Sequence, residues 1–212
     1  MYTHFVFDVD GTIINSDHVW NKITRQVMKE CLGRRITKAD LQAIRGMSDD
    51  LMLRYFQITD SASRAGILSR QREIYLLECH KNRYYEGTME CIDALRACGR
   101  ALGIVTNRID FELQEPLWMH LVSKMDIVIT GEMVQLKKPN PEPLNRYLEL
   151  AKVDRSKVLM IGDTKNDAEC AEEAGVDFAL ALELAALHPR HSRVGAQRVV
   201  DVLQLPVPGH LG

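Results

Sequence analysis

The chain has 212 residues, 46% hydrophobic and 26% charged, with a net charge of −2. That is room for one or two domains with a sizeable core, and it lacks the basic excess that would point to nucleic acid or an anionic membrane as partner. No apolar run nears the ~18 residues of a membrane span, the N-terminus carries a strand pattern instead of a secretion signal, and five scattered cysteines (Cys31, Cys79, Cys91, Cys98, Cys170) without CxxC spacing predict free thiols in a reducing cytoplasm.

Phe5-Val6-Phe7-Asp8-Val9-Asp10-Gly11-Thr12 reads as a short buried strand, His4–Phe7, ending in two carboxylates one residue apart and a glycine turn. Asp is depleted in strands. At about 4 Å and an effective dielectric of about 20, two such charges repel by roughly 4 kcal/mol. A cation or proton must compensate, which points to a site. Asp-Gly is also a strong hairpin signal, so the motif alone admits a turn as well.

From about Asn15 to Tyr85 the pattern holds no convincing strand and predicts four helices. Ser16 or Asp17 caps the first, whose apolar positions are Val19, Trp20, Ile23, Val27, Met28 and Cys31, and which ends near Gly33. Thr37 caps a second running to Gly46, Ser48 caps a third through Leu51, Leu53 and Tyr55, and a long fourth covers Ser63–Lys81. These residues, 16–85, make a helical domain inserted into an α/β core of residues 1–15 and 86–212. Its two connections, near Asn15 and near Tyr85-Glu86-Gly87, should be neighbours in space. That arrangement permits hinge motion, although a fixed helical elaboration fits the same pattern.

Beyond the insertion, strand candidates Ala101–Thr106, Asp126–Thr130, Lys157–Ile161 and Asp177–Leu180 alternate with helical stretches. Glu90–Cys98 has Thr88 able to cap its start and Gly99 its end, Pro141–Lys152 places Leu144, Tyr147, Leu148 and Ala151 on one face, and Asn166–Ala174 stops at Gly175. Pro116 interrupts the helical pattern of Arg108–Lys124, predicting a kink or two short helices. Such alternation predicts an α/β fold with a parallel, Rossmann-like sheet.

Polar residues then gather at the carboxyl ends of these strands, where open α/β sheets bind ligands. The first strand delivers Asp8 and Asp10, the second Thr106 and Asn107, and Lys157–Ile161 leads into Gly162-Asp163-Thr164-Lys165-Asn166-Asp167; Lys137-Lys138-Pro139 precedes another helix. Each has a plainer reading: loop caps for Thr106 and Asn107, surface charge for the lysines, helix-capping acids for Asp163 and Asp167. Four such features on one sheet edge favour a site. Clustered carboxylates suit Mg²⁺, a hard cation that takes oxygen ligands. There is no His/Cys spacing for zinc, and His188 and His191 read as surface residues. An Asp, a hydroxyl, a Lys and Mg²⁺ converging on one point make a phosphoryl-transfer site, with Asp able to act as nucleophile.

The blocks FDVDGT, IVTN, KKP and GDTKND, in this order, resemble the haloacid-dehalogenase-like superfamily, and more narrowly its phosphoglycolate-phosphatase and β-phosphoglucomutase branch with a helical cap after the first strand. The resemblance covers nearly the whole chain. It implies a Mg²⁺-dependent phosphatase acting on a small phosphorylated metabolite. Asp8 is then the nucleophile. Asp10 is the acid that protonates the leaving alcohol and later the base for water, its carbonyl also touching the metal. Thr106 and the Asn107 backbone amide hold the phosphoryl oxygens, Lys138 (rather than Lys137, on the KP spacing) neutralises charge, Asp8 and Asp163 ligate the metal, and Asp167 ligates it or orients it through water. Arg45, in the turn Arg45-Gly46-Met47-Ser48 where related caps present specificity residues, is a candidate for a substrate carboxylate or second phosphate, as is Arg108. Dehalogenases of this superfamily lack an acid at the Asp10 position, and the related ATPases carry Thr there. A β-phosphoglucomutase-like mutase and a pyrophosphatase remain as alternatives. A phosphorylatable receiver domain is disfavoured, because its acceptor Asp ends a middle strand and it has no cap.

Overall fold

The computed structural model describes residues 1–181; the expectation for His188 and His191, and the core boundary placed at residue 212, lie outside the described residues. The order is β1 (His4–Phe7), β2 (Ile14–Asn15), α1 (Asp17–Leu32), α2 (Lys38–Ile44), α3 (Asp49–Tyr55), α4 (Ser61–Glu78), β3 (Arg83–Tyr84), α5 (Thr88–Ala97) and β4 (Ala101–Val105). Then come α6 (Pro116–Val122), β5 (Ile127–Ile129), α7 (Glu142–Ala151), β6 (Val158–Gly162), α8 (Lys165–Ala174) and β7 (Asp177–Leu180). Short 3-10 turns lie at Cys79–Lys81, Asp110–Gln114 and Arg155–Lys157.

Five strands form one parallel sheet in the order β5-β4-β1-β6-β7. The α/β fold with a parallel core is therefore as the alternation predicts. β1 is central because both of its faces are apolar. Phe5 and Phe7 pack with Leu102, Ile104, Ile92, Leu95 and Trp118 on one side. Val6 packs with Val105, Leu144, Tyr147, Met160 and Cys170 on the other. Side chains alternate across a strand, so an uninterrupted apolar run feeds two helix layers at once. The chain crosses from β1 to β4 on one side and to β6 on the other, which makes the carboxyl end of β1 the topological switch point.

Gly103 in β4 is required by close approach: a Cβ there would enter the Tyr147 ring of α7. Pro116 divides its region as expected, into the 3-10 turn at Asp110–Gln114 and α6 with Pro116 as its first residue. Two local expectations are corrected. Thr88 is the first residue of α5 rather than its cap, which is Gly87 at φ 83°, and the Thr88 hydroxyl donates to the Tyr85 carbonyl at 2.7 Å. The second concerns residues 15–85, which are not wholly helical. β2 and β3 pair antiparallel, Ile14 opposite Tyr84 and Asn15 opposite Arg83. Two-residue strands carry no periodicity, so only the pairing reveals them. That pairing brings the two connections of the helical insertion side by side.

The insertion has its own apolar cluster, with Val19, Ile23, Val27, Met28, Leu53, Phe56, Ile67, Ile74 and Tyr75 buried between α1, α3 and α4. Its helices are capped locally: a Thr37–Asp40 capping box opens α2, Asp60 accepts from the Ser63 amide ahead of α4, and Gly33 at φ 63° ends α1. Tyr75 of α4 stacks on Trp20 (centroids 5.1 Å, 26°) and meets Phe111 edge-on (5.4 Å, 83°), joining the insertion to the segment after β4.

Candidate active site

Asp8 follows β1, Thr106 follows β4 and Asp163 follows β6; with Phe7 opposite both Ile104 and Ile161, Thr106 and Asp163 lie one residue beyond the level of Asp8, so the three share the carboxyl edge of adjacent strands. The Asp8 amide continues the ladder to the Ile161 carbonyl at 2.8 Å. The chain then turns at Gly11 (φ +83°), where a Cβ would collide with the Asp163 carboxylate; a Cβ at Gly162 would likewise meet Asp167. Glycine at both positions leaves room for carboxylates to converge.

They do converge. Asp8, Asp163 and Asp167 are all buried and offer oxygens within 4.8 Å of one another. Lys138, 3% exposed, lies among them, with Nζ donating to Asp8 Oδ1 at 2.7 Å, to Asp167 Oδ1 at 2.6 Å and to the Val105 carbonyl at 3.0 Å. Burial works against its charge, but Asp167 and Asp8 outweigh burial and hold the ammonium protonated. Lys137 is only half-buried, so of the two lysines it is Lys138 that turns inward. Its backbone is clamped by Asn107, whose Oδ1 accepts from the Lys138 amide (3.0 Å) and whose Nδ2 donates to the Lys138 carbonyl (3.2 Å). Asp167 serves two purposes at once: Oδ2 closes the capping box of α8 by accepting from the Thr164 amide and hydroxyl, while Oδ1 takes Lys138.

One lysine does not balance three buried carboxylates. Burial, and then repulsion from Asp167, Asp163 and Asp10, push Asp8 up to about 8 even against the pull of Lys138. Asp163 is pushed up to about 6 by burial, against the pull of Arg45. Asp163 Oδ1 accepts from the Thr12 hydroxyl at 3.1 Å. Its Oδ2 accepts no well-directed hydrogen bond among the described residues, although Arg45 Nη2 stands 2.8 Å away. An all-oxygen cluster with an open lone pair and glycine-made space fits a hard divalent cation. Arg45 itself reaches from the insertion to the core, bridging Asp163 and Asp17 (Nη2 to Asp17 Oδ2, 3.0 Å).

Asp10 does not face this cluster. Its carboxylate takes a two-pronged bond from Arg108, with Nε and Nη2 each at 2.8 Å, and a third from the Ser16 hydroxyl at 2.5 Å. Burial favours its neutral form, but the charge and hydrogen bonds of Arg108 prevail and hold it below the usual carboxylate range. Arg108, sought in the sequence as a substrate contact, has a side chain only 1% exposed and is committed to the protein's own acids: Nη1 reaches Glu115 Oε2 at 3.0 Å. That same oxygen accepts from the Tyr75 hydroxyl of α4 at 3.0 Å. A buried line thus runs from Asp10 through Arg108 and Glu115 to the insertion. Sequence reasoning missed Glu115 and Tyr75, and took Ser16 for a helix cap. It is indeed the N-cap residue of α1, but its hydroxyl makes no capping bond and goes to Asp10 instead. Its place directly before α1 and six residues after Asp10 was the available signal.

A cavity of about 620 Å³ opens over the cluster, bounded by Asp8, Thr106 and Lys138 below and by the insertion above. The family described as haloacid dehalogenase-like hydrolase matches residues 5–181. A phosphoglycolate phosphatase of Nitrosospira multiformis is 28% identical over 179 residues, covering 80% of this chain and 78% of its own. An N-acetylmuramic acid 6-phosphate phosphatase of Pseudomonas aeruginosa is 28% identical over 206 residues, covering 92% and 89%. In fold the chain is similar to a crystal structure from Lactobacillus plantarum described as a phosphoglycolate phosphatase, with a TM-score of 0.78, 24% identity and coverage of 96% and 99%.

Proposed function

The chain belongs to the haloacid dehalogenase-like hydrolase family, and from that premise we propose a Mg²⁺-dependent phosphatase that hydrolyses a small phosphorylated metabolite through an aspartyl-phosphate on Asp8. The observation that carries this reading is the meeting of the Asp8, Asp163 and Asp167 carboxylates around Lys138 at the switch point of the sheet. The phosphatase names of the relatives support it. Nothing favours nucleic acid or membrane as partner; no helix among the described residues is long and apolar enough to cross a membrane. The five unpaired cysteines fit a reducing cytoplasm.

Lys138 holds Asp8 Oδ1, leaving Oδ2 to attack phosphorus. The bond between phosphorus and the substrate oxygen breaks as the new bond to Asp8 forms; Asp10, ionised while it rests on Arg108, takes a proton from solvent as it leaves that cation and gives it to the departing alcohol. Asp10 then takes a proton from water, whose oxygen attacks the phosphorus and frees Asp8 and inorganic phosphate. Since the Asp10 carboxylate rests on Arg108 and Ser16, proton transfer requires it to rotate toward the cavity. Thr106 and the Asn107 amide bind the phosphoryl oxygens, and Lys138 offsets their charge. Asp8, Asp163, Asp167 and the Asp10 carbonyl would hold Mg²⁺, which supplies charge neutralisation at the phosphoryl group. Residues 16–85 act as a cap over the core of residues 1–15 and 86–212, with the paired β2 and β3 as the hinge and Arg45 at the closing edge.

The test is phosphate release from a panel of small phosphomonoesters, with Mg²⁺, with EDTA, and with Asp8→Asn. Both EDTA and Asp8→Asn abolish turnover. Full activity in EDTA rejects the metal, and activity retained by Asp8→Asn rejects the covalent route. Asp10→Asn slows turnover by about 10²–10⁴. Conversion of a sugar 1-phosphate to its 6-phosphate without phosphate release would mark a mutase instead.

A further inference from the structure

Gln71 is a polar side chain with nothing to bind. It lies on α4, only 4% exposed, and borders the cavity above Asp8. Its Oε1 has no hydrogen-bond partner among the described residues, and its Nε2 has only the Met52 sulfur at 3.9 Å. Buried amides that lack partners are rare and costly, and a hydrophobic cap interior would be served better by Leu or Met. Whichever way the amide is turned, one strong polar atom is left unpaired in a side chain that borders the cavity, and once the side chain rotates toward that space a ligand hydroxyl, both donor and acceptor, satisfies either orientation.

The surroundings narrow the ligand further. Once a phosphoryl group sits at Asp8, most of the 620 Å³ remains for the leaving group, a volume in the range that encloses ligands well beyond two carbons. Two cations at the site are already paired, half-buried Arg45 with Asp17 and Asp163, and buried Arg108 with Asp10 and Glu115. Glu112, buried, and Asp49 also border the cavity, as do Arg25 and Lys38, both exposed. Trp20, held by stacking against Tyr75, adds a flat apolar wall suited to the C–H face of a ring.

We propose that the preferred substrate is a monophosphate of a polyhydroxylated ring of hexose size, and that Gln71 is a specificity residue that hydrogen-bonds one of its hydroxyls. This rests on the phosphatase reading above and adds the leaving group to it. Loss of the hydrogen bond weakens productive binding of the sugar while leaving phosphoryl chemistry at Asp8 in place, so selectivity is the quantity to follow.

With Mg²⁺-loaded enzyme, kcat/KM is measured for glucose 6-phosphate, N-acetylglucosamine 6-phosphate, 2-phosphoglycolate and p-nitrophenyl phosphate, in the wild type and in Gln71→Met. The wild type prefers at least one sugar phosphate over 2-phosphoglycolate by about tenfold or more. Gln71→Met lowers that ratio by about tenfold, mainly through KM. Because the amide is unpaired in the free protein, Gln71→Met also melts at the same temperature or higher, which a structural hydrogen-bonding role would not allow. Preference for 2-phosphoglycolate, a ratio changed by less than twofold, or a lowered melting temperature overturns the proposal while leaving the phosphatase intact. No phosphate released from any of the four compounds overturns the phosphatase reading itself.

Discussion

Replacing Arg108 with Met tests how the buried charges are balanced. Arg108 and Glu115 are each 1% exposed at the side chain and 3.0 Å apart, and Arg108 also holds both oxygens of Asp10. Methionine fills similar volume but removes the cation, leaving Glu115 buried with only the Tyr75 hydroxyl to its Oε2. Breaking a buried pair from one side costs roughly 3–5 kcal/mol, because the remaining charge is desolvated and unpaired. At about 2–4 °C per kcal/mol for a chain of this size, melting falls by roughly 6–20 °C. The pH dependence has a definite sign. Asp10 is held below its unfolded value by Arg108, so its contribution is present above the unfolded carboxylate value of about 4 and is lost as pH falls through the lowered folded one. The gap between wild type and Arg108→Met, followed by urea unfolding, is therefore full at pH 7 and closes on acidification below about pH 4. A loss under about 1 kcal/mol at pH 7, or a gap that widens toward acid, would refute this account of the network.

Two further outcomes follow from the acid cluster and the sheet. Asp8 and Asp163 are raised to about 8 and about 6, so without metal the folded state favours their protons; their contribution to stability is full below about pH 4 and is lost as pH rises to 8. Melting scans in EDTA should show that decline in the wild type and a flatter profile in Asp8→Asn. Mg²⁺ at about a hundred times its Kd should restore roughly 2.7 kcal/mol at pH 8; a profile that rises with pH in EDTA would contradict the charge imbalance. Gly103→Ala forces a methyl against the Tyr147 ring and should cost about 1–3 kcal/mol by thermal melting, with an unchanged melting temperature counting against the packing described.

The sequence determined the frame of this protein. Apolar runs such as Phe5–Phe7 and Leu159–Ile161 mark buried strands by composition alone, and Pro116, Gly33 and Gly175 mark helix ends by backbone chemistry, since these signals act over a few residues. The positions of Asp8, Thr106 and Asp163 at strand ends could be read for the same reason. Partnership could not. β2 and β3 are two residues each, too short for periodicity, and exist only because residues 14–15 meet residues 83–84. In an extended chain Asp8 and Asp10, two residues apart, would share a face, but the strand ends at Phe7 and the chain turns at Gly11, so the Asp10 carboxylate goes instead to Arg108, 98 residues away. Glu115, Tyr75 and Gln71 looked like ordinary members of a loop and a helix. Tertiary packing made two of them links in a buried charge network and left the third unpaired over a cavity, because hydrogen bonding and desolvation depend on what folding brings within 3 Å, which no local pattern encodes.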